Sequence, residues 1–191
     1  MARWNSTQII SPFPENIDRI YFGAWLSGFV DGEGCFRLSC TPRKRSPLYP
    51  ALTGSFEIGQ RVDDARVLQL IQSYFNCGRI YIDKKYYTKF VAAPKATYRV
   101  VNPSELANII IPHFEKYSLL AKKRNDFAIW KKGVAMLYAV FLRPMKTSAL
   151  PGRHGRLPKW QEEEKEAFVA LLKELSDQRA YDPSILVNFS S

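Results

Sequence analysis

Residues able to do chemistry gather in one short segment, Leu26-Ser27-Gly28-Phe29-Val30-Asp31-Gly32-Glu33-Gly34. Two carboxylates, Asp31 and Glu33, close a stretch that otherwise reads as helix, and Gly23, Gly28 and Gly32 lie within it. An interior glycine costs about 0.8–1 kcal/mol relative to alanine, so several in one helix need a compensating gain. Small residues four apart, Ala24, Gly28 and Gly32, with Ser27 between, allow a second backbone to approach closely. That neighbour is either the chain's own sheet or another helix, and the spacing leaves both open. Zinc chemistry of the usual kind is not expected. Cys35, Cys40 and Cys77 form no CxxC pair, and only His113 and His154 are available. The odd cysteine count disfavours a disulfide framework and fits a reducing intracellular setting, either bacterial cytoplasm or an organelle matrix. No secretory signal and no membrane span are expected.

The elements that must position this segment follow from pattern. A chain of 191 residues suits one domain, or one domain with a tail. Residues 1–17 read as an extended arm, 18–141 as the core, and 142–191 as a basic loop with a C-terminal helix. Asp18 is a helix cap for residues 19–32. A hairpin follows, with strands at 35–41 and 51–60 around the basic turn 42–47. Asp63 and Asp64 start a helix that ends at Asn76-Cys77-Gly78. Strands at 79–83 and 97–101 flank a loop carrying Lys84, Lys85, Tyr86, Tyr87 and Lys89. Pro103 opens a third helix with an expected break at Pro112. Further helices cover 119–141 and 161–177. The order is αββαββα plus C-terminal helices, an α+β fold.

Alternation divides each strand. Phe36, Leu38 and Cys40 oppose Arg37, Ser39 and Thr41; Leu52, Phe56 and Ile58 oppose Thr53, Ser55 and Glu57. Ile80 and Ile82 oppose Arg79, Tyr81 and Asp83, while Tyr98 and Val100 oppose Thr97 and Arg99. The expected sheet is antiparallel, with one face on the core and one rich in hydrogen-bonding groups. A formal charge of +10 favours a polyanionic partner.

The segment Leu26–Gly34, the αββαββ order and the basic charge together resemble the LAGLIDADG homing endonucleases, over about residues 19–130. The resemblance implies a saddle-shaped, DNA-binding antiparallel sheet and a double-stranded DNA target. Because the motif occurs once, it also implies a homodimer in which Gly23, Ala24, Ser27, Gly28 and Gly32 line the helix-to-helix interface. Glu33 falls at the family's catalytic acidic position and, with backbone near Gly32, would hold Mg²⁺ or Mn²⁺; no small-molecule cofactor is implied. Two such carboxylates brought together repel and need cations between them. The first acid, Asp31, is structural in the family. Gln60 matches a position near the attacking water. The segment Ser118–Phe127 resembles the family's basic-lysine motif, with Lys122 preferred to Lys123.

The resemblance places Arg37, Ser39, Thr41, Thr53, Ser55, Glu57, Arg79, Tyr81, Asp83, Thr97 and Arg99 against DNA. Arg43, Arg45, Lys84 and Lys85, in turns, suit backbone phosphates, with some base contact also open to them. The expected activity is site-specific double-strand cleavage of a long, partly palindromic target by an intron-encoded enzyme. An intron RNA maturase and a non-catalytic DNA-binding regulator are the alternatives on the same fold. Residues 142–191 lie beyond the resemblance, and three roles stay open for them: holding DNA, extending the dimer, or covering the fold.

Overall fold

The computed structural model describes residues 10–43, 46–83, 94–144 and 160–180. Helix α1, Arg19–Glu33, starts where Asp18 accepts hydrogen bonds from the amides of Ile20 (2.7 Å) and Tyr21 (2.9 Å). These satisfy two of the helix's orphan donors. The chain turns directly into strand β1, Gly34–Arg43, which pairs antiparallel with β2, Ser46–Arg61. Helix α2, Arg66–Phe75, ends at Asn76 in the left-handed region, and Gly78 also has positive φ. Such a conformation favours glycine or asparagine. Strands β3, Arg79–Ile82, and β4, Lys95–Val100, complete an antiparallel sheet of order β1-β2-β4-β3.

One face of this sheet is the core. Phe36, Phe56, Ile58, Tyr98 and Val100 are fully buried against Leu26 and Val30 of α1, Leu68 and Ile71 of α2, and Trp130. Burial of an aliphatic or aromatic side chain of this size stabilises by about 1.5–3 kcal/mol. Tyr98 satisfies its hydroxyl on the Cys77 carbonyl at 3.1 Å. Burial pushes the Cys77 thiol up to about 11, which leaves it an inert part of the core.

Several expectations need correction. The helix after Asn102 is not broken at Pro112. It runs as α3, Pro103–Glu105, a π turn, Leu106–Ile110, and α4, Ile111–Lys116. The wider π turn precedes the proline, a place where the ring and the missing N–H disturb the α ladder. Asp63 and Asp64 form a 3-10 turn rather than the start of α2. Helix α5 begins at Lys123 and runs to Phe141, so residues 119–122 are connecting chain. Cys40 and Ile82 have core-side parity yet are exposed, Ile82 by 48%. Both lie toward strand ends, where the helices no longer cover the sheet. Ser55 has polar-face parity yet is buried. In the expected arm, Phe13 packs edge-on against Phe22 and Tyr74.

Helix α6, Glu162–Arg179, carries a capping box between Gln161 and Glu164 and buries Phe168 and Leu175. It lies against α5 and β1. The described part of the expected extension is therefore packed on the core. No helix among the described residues is long and apolar enough to cross a membrane.

Candidate functional site

Two acids occupy the last turn of α1, the end where the helix dipole disfavours negative charge. Their surroundings differ. Asp31 Oδ2 accepts from the backbone amides of Leu120 (2.8 Å) and Ala121 (3.1 Å). It thereby ties the connection before α5 to α1, in agreement with a structural role. Glu33 is exposed and has no hydrogen bond or ion pair among the described residues. Packing does not explain its placement.

Lys123 supplies the compensating charge. Its Nζ donates to the carbonyls of Asp31 (3.0 Å) and Gly32 (3.1 Å), adjacent to Glu33. Lys122 points elsewhere, with Nζ donating to the Ala180 carbonyl at 3.4 Å. The structure therefore brings Lys123, not Lys122, to the end of α1. The one-residue difference arises because α5 starts at Lys123: successive side chains at a helix start lie on different faces. Gln60 lies near the end of β2 on the same margin of the sheet, since Gly34, which follows Glu33, pairs with Ile58. Gln60 itself pairs with Ala96 and is half-buried.

Among the described residues no group of three His, Cys, Asp or Glu could cage a metal ion. The donor set at the end of α1 is a free carboxylate, Glu33, beside the Gly32 carbonyl. That set fits Mg²⁺, which retains several waters and takes one or two carboxylates together with phosphate oxygens.

The exposed sheet face carries the expected polar side chains. Arg37, Thr41, Thr53, Arg79, Tyr81, Asp83 and Arg99 are exposed, while Ser39, Glu57 and Thr97 are half-buried. Arg43 ends β1, whereas Arg45, Lys84 and Lys85 lie outside the described residues. Arg79 and Arg99 are direct cross-strand partners, an arrangement in which like charges destabilise a sheet. Glu57 relieves it from β2. The Arg99 Nε lies 3.0 Å from one of its carboxylate oxygens, and Nη2 donates to the other at 3.1 Å. Ser55 donates to the same carboxylate at 2.7 Å, so it organises the row rather than facing outward. The Arg99 guanidinium also lies over the Tyr81 ring, 5.8 Å from its centroid.

Lys95 lies outside the expected strand 97–101 because β4 begins two residues earlier. Its aliphatic stem crosses β2 where Gly59 has no side chain; a Cβ at Gly59 would collide with it. An isolated glycine inside a strand marks such a close approach, and that signal was available.

The faces of α1 separate the expected interface residues. Gly23 and Ser27 belong to this chain's own packing. A methyl at Gly23 would meet the Tyr117 ring at 2.6 Å, and Ser27 Oγ donates to the Tyr117 carbonyl at 2.7 Å. Both residues therefore face Tyr117 of the same chain. Gly28 and Gly32 are open, with nothing within 4 Å of a Cβ, and Ala24 is exposed beside them. Tyr21, 81% exposed, and Trp25, 45% exposed, extend this face. Trp25 stacks on Phe29 at 5.0 Å.

Comparison with known proteins agrees with this geometry. Residues 26–134, more than half of the chain, match the LAGLIDADG endonuclease family. A probable intron-encoded endonuclease 2 of Neurospora crassa is 34% identical over 115 residues, covering 60% of this chain and 24% of that protein. The probable intron-encoded endonuclease Cox1-I1b of Schizosaccharomyces pombe is 31% identical over 116 residues, covering 61% of this chain and 28% of that protein. The chain thus spans about a quarter of the length of these curated relatives. Among solved structures, I-SmaMI bound to uncleaved DNA target in the presence of calcium ions superposes with a TM-score of 0.62 at 25% identity. The match covers 87% of this chain and 49% of I-SmaMI. I-LtrWI bound to target DNA gives a TM-score of 0.65 at 23% identity over 87% of this chain and 47% of its own, a likeness of fold. With its motif, its α+β element order and its antiparallel sheet, the chain belongs to the LAGLIDADG endonuclease family.

Proposed function

We propose that the chain is one half of a site-specific, intron-encoded endonuclease that hydrolyses both strands of a long, partly palindromic DNA target. The observation that carries this reading is Glu33: an exposed carboxylate with no partner among the described residues, at the dipole-disfavoured end of α1, beside an arginine-rich sheet face. Glu33 and the Gly32 carbonyl would hold Mg²⁺ or Mn²⁺, which neutralises charge on the attacking and leaving oxygens. Lys123 takes the role expected of the basic-lysine motif. Its ammonium beside Glu33 can donate to the scissile phosphate as negative charge builds there. Gln60, on the same margin, suits orientation of the attacking water. Lys95 joins the DNA-facing residues of the sheet.

The open face of α1 accepts a second copy of the same fold through Ala24, Gly28 and Gly32, with Tyr21 and Trp25 around them. A homodimer supplies that copy, and the partly palindromic target follows from its two-fold symmetry. The length of I-SmaMI, about twice the part matched here, is compatible with a pairing of halves.

The test uses a randomised duplex DNA library, with binding selected in Ca²⁺ and cutting assayed in Mg²⁺. Specific binding in the first and double-strand cleavage in the second are expected. Specific binding without cleavage under either Mg²⁺ or Mn²⁺ would overturn the enzyme in favour of a regulator. Preference for folded intron RNA over any duplex would favour the maturase.

A further inference from the structure

Helix α6 lies beyond the family-matched residues, and its last turn reaches back to the site. Arg179 Nε donates to Asp126 Oδ2 at 2.7 Å, and its Nη2 donates to the Phe36 carbonyl at 2.5 Å. These two acceptors are informative. Asp126 stands three residues after Lys123, in the first turn of α5, and Phe36 stands three residues after Glu33, near the start of β1. One guanidinium therefore bridges the two elements that leave the site. Lys122 adds a second tie between the same regions through its bond to the Ala180 carbonyl. The far end of α6 is fixed by the Arg143–Glu164 ion pair, and its middle by the buried Phe168 and Leu175.

We infer that Arg179 is a positioning residue that sets Glu33 against Lys123 by bridging Asp126 and the Phe36 carbonyl. The inference rests on the endonuclease reading above. Asp126 is nearly buried, with its side chain 10% exposed, so its charge requires a close cationic partner. A planar guanidinium presents several donors in a fixed geometry, so it can meet a carboxylate and a carbonyl on different elements together. A lysine presents a point charge and cannot reproduce both contacts in that geometry. The strand involved, β1, is at the sheet edge, where a bond from α6 constrains an otherwise unsupported margin. Small errors in placement are costly at a reacting centre: a displacement of about 1 Å can cost about a hundredfold in rate.

The test compares the full chain with its Arg179→Gln, Arg179→Lys and Asp126→Asn variants. Four quantities are measured: DNA affinity in Ca²⁺, single-turnover cleavage in Mg²⁺, amide hydrogen exchange at Leu120 and Ala121, and melting temperature. Arg179→Gln should cut bound DNA about tenfold more slowly or worse, with affinity within about twofold of the parent. Exchange at Leu120 and Ala121 should accelerate, because their Asp31 bonds span the loosened junction. Asp126→Asn should behave alike, and Arg179→Lys should recover part of the rate. A parent that cuts, with variants cutting at the parental rate, would overturn this inference alone. So would a loss of rate, affinity and melting temperature in parallel, unrelieved by lysine, since that pattern describes mere stabilisation. A parent that binds DNA and never cuts would bring down the endonuclease reading, and this inference with it.

Discussion

Asp31 and Glu33 are two residues apart, are both acidic, and sit in different surroundings. Asp31 accepts from two backbone amides through Oδ2, whereas Glu33 has no such partner among the described residues. Glu33→Gln should therefore abolish cleavage while DNA binding survives or tightens, because repulsion of phosphate falls. Gel-shift and single-turnover assays on one target would check both halves. Lys123→Ala should slow cleavage more than it weakens binding, because its proposed contact develops in the transition state. Lys122→Ala should act mainly through the Ala180 tie and have the smaller effect on rate. His113 gives a separate prediction on stability. Burial holds its imidazole neutral and lowers its pKa from 6.5 to about 4, and its Nδ1 lies 3.3 Å from the Tyr74 hydroxyl. A lowered histidine pKa means that the unfolded chain takes up a proton first as the solution is acidified. The stabilisation is complete above about pH 6.5, declines as pH falls toward 4, and then levels off, an effect of about 3 kcal/mol at most. Denaturant melts of the parent and His113→Gln across this window should show a shallower pH dependence in the variant.

At the scale of elements, α1 presents two faces made from the same small residues. Gly23→Ala should lower the melting temperature, because its methyl would press on Tyr117 and Tyr74. Gly28→Leu should leave the melting temperature of the isolated protomer near the parent's, since nothing stands within 4 Å, while abolishing association in light scattering. The sequence places both glycines on a helix with small-residue spacing, but says nothing about which face meets Tyr117, some ninety positions away. The alternation of Phe56, Glu57 and Ile58 is legible because a strand's period of two survives in any packing. The burial of Ser55 and the exposure of Ile82 are not, because they depend on where the covering helices stop. Helix boundaries decided the lysine. With α5 expected from residue 119, the basic segment offered no way to see that Lys122 and Lys123 diverge at a helix start. On the sheet, the Glu57–Arg99 pair uses the Nε side of the guanidinium and leaves its outer edge available. A fork held in that way suits guanine O6 and N7, a contact worth about 1–3 kcal/mol of discrimination. Arg99→Lys should relax preference at one base pair of each half-site. Binding to a panel of single-substitution targets would reveal it, and an unchanged base profile would count against Arg99 as a reader.

For the whole molecule, the excess of positive charge would make attraction to DNA broad under the proposed function, and the sheet face would make it selective. Lys95 is exposed at one end of that sheet and suits a phosphate. Lys95→Ala should weaken all sequences alike and reduce the salt dependence of binding by a log–log slope of about 0.9. The open face of α1 has a consequence for dose. If, as proposed, two chains must meet through Ala24, Gly28 and Gly32 before either can cut, the active species in dilute solution would grow with the square of the amount synthesised. Halving expression then lowers cutting capacity about fourfold, by mass action. Weak translation alone would shield a host genome from stray breaks, and a brief surge would suffice to mobilise the intron.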